Sequence, residues 1–202
     1  MKIISLGGLV NILLSRVISS HYSPPFIGSN VHQIAQGVYR TAQLDEKDLE
    51  DFIKRTGIKN YVNLRGENKD RSWYDSELVV CDRMRVTHHD VKLSAREMPE
   101  KQKLIDLIDI IESLERSCKP YAIHCDAGVD RTGFGTALIY LLKGHSVDDA
   151  KSKAFRLRFG YVKRRKFSGP IKLLDMYKSY QSQMSFKEWV EEFYTPELAV
   201  KN

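Results

Sequence analysis

The stretch His124-Cys-Asp-Ala-Gly-Val-Asp-Arg-Thr-Gly133 constrains the fold of this chain more than any other. It follows a short apolar run, Tyr121-Ala-Ile-His124, which Pro120 sets off as a strand. It precedes the apolar segment Gly133–Leu142, which reads as a helix. A buried strand, a tight loop and a helix in immediate succession point to an α/β architecture. Such a loop turns consecutive backbone N–H groups into its own concavity, and Gly128 permits the positive φ that such a nest often needs. The positive end of the following helix aims at the same point. An oxyanion fits there. Arg131 adds a planar fork able to hold two phosphate oxygens at once, which a lysine could not do.

The same field acts on Cys125. Free thiols titrate near 8.5, and helix N-termini with nearby cations lower that to roughly 3.5–7.5. A thiolate at the floor of a phosphate-shaped cradle is therefore expected at Cys125. Thr132 is placed to donate its hydroxyl to the sulfur, and His124 to bond backbone and hold the loop. The chain has three cysteines, Cys81, Cys118 and Cys125, an odd and sparse set that makes no disulfide framework. Cys118 and Cys125 fall at opposite ends of the strand, roughly 20 Å apart at ~3.3 Å per residue. The histidines show no zinc-ligand spacing; His88 and His89 are adjacent and point to opposite faces of a strand.

Around the loop, apolar and charged segments alternate. Val38–Arg40 is a short strand candidate, and Asp45–Arg55 a helix with Leu49, Phe52 and Ile53 on one side. Ile58–Leu64 reads as a buried strand ending in the turn Arg65-Gly66-Glu67-Asn68, and Arg85–Leu93 alternates as a strand. Glu100–Leu114 is the clearest helix, with Leu104, Leu107, Ile108, Ile111 and Leu114 in one stripe. Helices are expected over Val147–Arg158, Leu173–Tyr180 and Phe186–Tyr194, with Gly144 as a stop.

The chain has 202 residues, room for one domain and an appendage. A hydrophobic segment and linker over residues 1–30 and a domain over 31–202 are expected. The 12 mostly apolar, uncharged residues Ile3–Leu14 fall short of the ~20 that span a bilayer, and no A-x-A-like cleavage site follows. Anchor, signal and surface helix stay open, and with them cytoplasmic, membrane-associated and exported placements. At 42% hydrophobic and 29% charged residues, the composition excludes disorder, collagen and a polytopic membrane protein. The net charge of +6 suits an anionic partner. Between Lys151 and Lys166 lie eight basic residues and no acidic one. They form either a solvated face or a positive rim toward an anionic substrate or acidic membrane surface.

The His124–Gly133 segment resembles the His-Cys-x5-Arg-Thr-Gly signature of the cysteine-dependent protein tyrosine and dual-specificity phosphatase superfamily. Gly37–Leu44, Tyr61–Asn68 with Trp73-Tyr74, and Lys92–Arg96 resemble landmarks of its bacterial dual-specificity-phosphatase-like members. The resemblance covers roughly residues 31–180. It implies an α/β fold with a mainly parallel central sheet flanked by helices, and a phosphomonoester hydrolase working through a phosphocysteine. Cys125 would be the nucleophile, and Asp126, Ala127, Gly128, Val129, Asp130 and Arg131 the phosphate loop. No metal or other cofactor is implied. The implied substrate is a phosphorylated protein or small phosphomonoester, not nucleic acid. Relatives usually take the general acid from an upstream aspartate, which here offers Asp90, Glu97 or Glu100. Asp130, immediately before Arg131, is the favoured candidate and Asp90 the alternative; Asp130 bracing the loop as a helix cap is the rival reading. Asp126 and Val129 stand where enzymes of polyphosphoinositides often have lysines, which argues against a highly charged inositol lipid. A lipid or sugar phosphate, a catalytically dead phosphate-binding module and a rhodanese-type transferase remain as alternatives. Arg65 reads as structural, with the border of the substrate mouth as the alternative, and Trp73-Tyr74 as core or lid packing.

Overall fold

The computed structural model describes residues 29–162 and 169–196. The apolar N-terminal segment lies outside the described residues, as does the 163–166 part of the basic run. Five strands form one sheet: β1 (His32–Ala35), β2 (Val38–Thr41), β3 (Asn60–Asn63), β4 (Thr87–Asp90) and β5 (Tyr121–His124), in the order β1-β2-β5-β3-β4. Only β1 runs antiparallel, against β2; the other pairings are parallel. The mainly parallel α/β sheet implied by the resemblance is the observed one.

Parallel strands need crossover helices, and these cover both faces. On one face pack α1 (Glu46–Thr56) and α2 (Ser72–Arg83), whose Leu49, Phe52, Ile53, Val80 and Cys81 form a core with Tyr61 and Ala122. On the other lie α3 (Lys101–Ser117), α4 (Asp130–Leu142), α5 (Val147–Ala154), α6 (Gly169–Lys178) and α7 (Phe186–Glu192). The larger core there contains Val62, Ile123, Cys125, Leu107, Phe134 and Trp189. The period-two alternation of strands explains the division: Tyr61 and Ala122 face one core, while Val62, Tyr121 and Ile123 face the other.

Local signals set the helix ends. Asp45 caps α1 by accepting from the Asp48 N–H at 2.8 Å, and Gly57 closes it in the left-handed conformation. Three differences from the sequence reading bear on the site. Helix α4 starts at Asp130, one residue ahead of the start expected at Arg131, so Asp130 lies in its first turn rather than in the loop before it. Trp73-Tyr74 belongs to helix α2, which its sequence does not announce because Leu78 and Val79 interrupt the buried stripe with exposed apolar residues. The helix expected over Val147–Arg158 stops at Ala154, and a 3-10 turn, Leu157–Phe159, follows beside the signature loop. Among the described residues no helix is long and apolar enough to cross a membrane.

Candidate active site

Parallel β2, β5 and β3 end together, with Thr41 and Asn63 both in register with His124. Cys125 follows at that edge, 3% exposed, and the chain then turns through Asp126–Val129 into α4. The turn is held from outside. The Gln43 amide donates to the Asp126 carbonyl at 2.9 Å. Asn30 Nδ2 lies within bonding distance of the carbonyls of Ala127 (3.0 Å), Gly128 (3.1 Å) and Phe159 (3.0 Å). Arg40 Nη2 donates to the Gly128 carbonyl at 2.7 Å. With three successive carbonyls tied outward, the amides of the following residues are left for the concave side.

Gly128 has φ +66°, and a Cβ there would stand 2.7 Å from both the Ala42 nitrogen and the Thr41 carbonyl oxygen. The loop is therefore pressed onto the end of β2 at the one position where no side chain fits. The N-cap of α4 is Val129, which caps nothing with its side chain, so the helix's first donors face whatever occupies the cradle. Arg131 Nε is buried without a hydrogen-bond partner, as expected of a guanidinium arranged for an anion.

Asp130, half-buried, is the first helical residue and thus not the N-cap that the bracing reading requires. Asp90 sits at the end of β4, where it accepts from Tyr74 Oη (2.5 Å) and Asn63 Nδ2 (2.9 Å) and lies 3.4 Å from His88 Nδ1. Burial raises its pKa, and hydrogen bonds from His88, Tyr74 and Asn63 outweigh that and lower it. A carboxylate so held is bracing the β3–β4 edge and is poorly suited to release a proton. Glu97 and Glu100 are exposed on the connection into α3, and Glu100 is the N-cap position of that helix.

Two supporting roles come out differently. The Thr132 hydroxyl is buried with no partner, so it makes no bond to the Cys125 sulfur. The His124 ring does not bond the loop backbone. It stacks on Tyr61 with centroids 4.3 Å apart, and its Nε2 lies 3.2 Å from Glu77 Oε1, out of line for a hydrogen bond. Because β5 alternates, His124 faces the opposite core from Cys125.

Glu77 on α2 is 2% exposed and gathers His88 Nε2 (2.7 Å), His124 and Gln43 Nε2 (2.5 Å). Burial pushes its carboxyl up, and the His124 and His88 imidazoles overcome this and bring it to about 2. Burial likewise lowers His88, but bonds to Asp90 and Glu77 carry it to about 9. Among the described residues, Glu77, His88 and His124 form a grouping whose ligand atoms lie within 4.8 Å of one another. Glu77 and His88 are already engaged with each other, Gln43 and Asp90, so the grouping behaves as a charge network beneath the loop.

The network fixes a pH dependence. His88, raised in the folded state above 6.5, contributes stability that is complete below that value and lost as pH rises through about 9. Glu77, lowered from 4.5, contributes stability that is present above 4.5 and lost as pH falls toward about 2. The melting temperature should therefore drop by roughly several degrees between neutral pH and about pH 10, and His88→Asn should flatten that alkaline limb. An equally steep limb in the variant would remove His88 as its source.

At the mouth, Arg65 stacks on Trp73 with its Cζ 3.6 Å from the ring centroid, donates to Gln43 Oε1 (3.0 Å) and pairs with Asp126 (3.3 Å). Asp126 is thus tied to Arg65, which borders the site as well as bracing it. The basic run is partly neutralised: Lys151 pairs with Asp175 and Lys153 with Asp149. Arg156 and Arg158 flank Leu157, itself 79% exposed, in the turn beside the loop. Asn30, Arg40 and Gln43 escape the sequence reading as loop supports. For Arg40 and Gln43 the signal is the Gly37–Leu44 landmark, whose strand lies beside β5; Asn30 lies outside that landmark.

A mainly parallel sheet with this loop at its carboxyl edge defines a dual-specificity phosphatase-like domain. The family model described as "Polymorphic toxin system, DSP-PTPase phosphatase" matches residues 35–145, and the chain belongs to that family. No curated protein matches the sequence. Among solved structures, Tk-PTP in its active form is 20% identical, with a TM-score of 0.60, covering 74% of this chain and 97% of its own. TpbA of P. aeruginosa is 16% identical at a TM-score of 0.58, covering 82% and 99%. The core catalytic domain of the PP-IP phosphatase SIW14 of S. cerevisiae is 20% identical at 0.61, covering 78% and 88%.

Proposed function

We propose that the domain over residues 31–202 hydrolyses phosphate monoesters through a phosphocysteine at Cys125, with phosphotyrosine in proteins as the favoured substrate. The observation that carries this is the loop itself: Cys125 beneath a turn whose carbonyls at 126, 127 and 128 are all bonded from outside. An anion at the concave side then meets amide donors, the start of α4 and the Arg131 fork. The Cys125 sulfur attacks phosphorus in line, forming the S–P bond as the P–O bond to the leaving group breaks. Asp130 gives its proton to the departing oxygen. The resulting carboxylate takes a proton from water, which attacks phosphorus and releases inorganic phosphate and the Cys125 thiolate. Asp130 is preferred over Asp90 because it opens α4 immediately before Arg131, whereas Asp90 ends β4 and is held there by Tyr74 and Asn63.

The choice of substrate rests on charge. Asp126 places a carboxylate on the loop and engages Arg65, so the mouth offers less net positive charge than a polyphosphorylated ligand requires. TpbA of P. aeruginosa has been solved in complex with pTyr, which supports the same choice by likeness of fold. Phosphopeptides should be turned over faster than inositol or sugar phosphates by the purified protein; the reverse order would overturn the choice. The acid has its own test. Asp130→Asn should slow poor alkyl leaving groups by about a hundredfold or more and a nitrophenyl leaving group by less than about tenfold. Equal losses on both would assign the proton to another group.

A further inference from the structure

Arg40 is fully buried, at 0% exposure, yet no carboxylate pairs with it among the described residues. Its Nη1 donates to the Ala154 carbonyl (2.8 Å), its Nη2 to the Gly128 carbonyl (2.7 Å), and its Nε has no partner. Its Cζ lies 4.0 Å from the centroid of Phe159. A buried cation without a counter-ion is unfavourable, and this one is kept behind the signature loop. Strand register says why the place matters. Arg40 is in register with Ile123 on the adjacent parallel strand, and Cys125 is two residues beyond Ile123 on the same face.

We propose that Arg40 is a positioning residue for the Cys125 chemistry: it locks the Gly128 peptide outward and supplies a buried positive charge whose counter-ion is the ionised Cys125 sulfur. The inference rests on the phosphatase reading and adds to it a second cation, on the opposite side of the loop from substrate. Burial lowers the Arg40 guanidinium to about 10, and the Cys125 sulfur is the foremost influence opposing that. The other charged and titratable groups around the pair are Arg131, Asp130 and Tyr140 on α4, Arg158 on the turn, His32 on β1, and Arg65 with Asp126 at the mouth. Arg158 acts against the Arg40 charge and Tyr140 with it. Burial first, then Arg40 and Arg158, lower the His32 pKa and so disfavour a competing cation on β1. A lysine at position 40 would keep the charge but could not bond two carbonyls in the fork geometry.

The test separates charge from clamp. Alkylation of each thiol by iodoacetamide is followed by peptide mass spectrometry, and its rate near pH 6.5 is divided by its rate near pH 10. That ratio cancels accessibility, and exposed Cys118 in the same sample serves as the internal reference. In the wild type the Cys125 ratio should exceed that of Cys118 by about tenfold or more. Arg40→Gln should cut the Cys125 ratio by about tenfold, while Arg40→Lys keeps it within about threefold of wild type yet loses turnover through the weakened loop. A merely structural Arg40 would give the same ratio in both variants. An unchanged ratio in Arg40→Gln, or a tenfold fall in Arg40→Lys, overturns the inference. Should Arg40→Gln not fold, the Arg40→Lys ratio decides alone by the same limits. A wild-type Cys125 ratio no greater than that of Cys118, with no protection by inorganic phosphate, would instead sink the phosphatase reading itself.

Discussion

Cys125→Ser is expected to abolish turnover of aryl phosphates, by about ten-thousandfold or more, while leaving inorganic phosphate binding in place. Nucleophiles of covalent enzymes show losses of this order when removed, because the remaining groups stabilise charge with nothing to attack phosphorus. The binding groups are independent of the sulfur: the outward carbonyl ties come from Asn30, Arg40 and Gln43, and Arg131 sits on the helix. Neither of the other cysteines can stand in. Cys81 is buried in the opposite core, where desolvation and then Glu77 push its thiol up to about 12. Cys118 ends α3 in the left-handed conformation, before the far end of β5. Steady-state assays beside phosphate titration by calorimetry would check both halves. Residual turnover above about one per cent, or a loss of phosphate binding in step with turnover, would contradict the proposed division of labour.

The second large effect is expected at Gly128→Ala. Two penalties meet there: a positive φ that costs an L-residue about 1–2 kcal/mol, and a Cβ 2.7 Å from the backbone of Thr41 and Ala42. Neither neighbour is the free end of a flexible side chain; both are main-chain atoms of β2 and the residue after it, so the loop must move instead. A displacement of about 1 Å in a site that works by positioning costs roughly a hundredfold in rate. We expect that loss in kcat, with destabilisation of about 2 kcal/mol or more. Gly144→Ala is the control: its φ is +83°, but nothing lies within 4 Å of its Cβ and it is far from the loop in sequence. It should lose about 1–2 kcal/mol of stability and keep its turnover. Equal turnover losses in the two variants would show that general destabilisation, rather than loop geometry, governs the rate.

The chemistry-bearing segment was legible in the sequence because it is contiguous. A strand, a cysteine, a glycine-containing turn and an arginine at a helix start are all local, and their periods and breakers can be read along the chain. The supports of the loop are not local. Asn30 reaches Gly128 across 98 positions and Arg40 across 88, contacts created only when β2 pairs with β5. The Glu77–His88–His124 network has the same origin, uniting a helix and two strands that no spacing rule connects. His124 misled because its neighbour Cys125 faces the loop, whereas alternation along β5 sends the imidazole to the other face. Helix α2 was missed because its apolar residues do not keep to one stripe; Val79 is 57% exposed while Tyr74, Glu77 and Val80 are buried. Asp130 was recognised as a carboxylate in the loop, but that it opens the helix rather than capping it depends on where α4 begins.

On the proposed mechanism, phosphorus becomes bonded to Cys125 during turnover. Rapid acid quench of Asp130→Asn, in which hydrolysis of the intermediate lacks its base, followed by peptide mass spectrometry after reaction with a nitrophenyl phosphate, reads that bond directly. A phosphoryl group on the peptide that contains Cys125, formed within the first turnover and absent in the Cys125→Ser double variant, is the expected result. Turnover by the wild type with no phosphoryl adduct on that peptide under any quench time, or an adduct on a different residue, would contradict it.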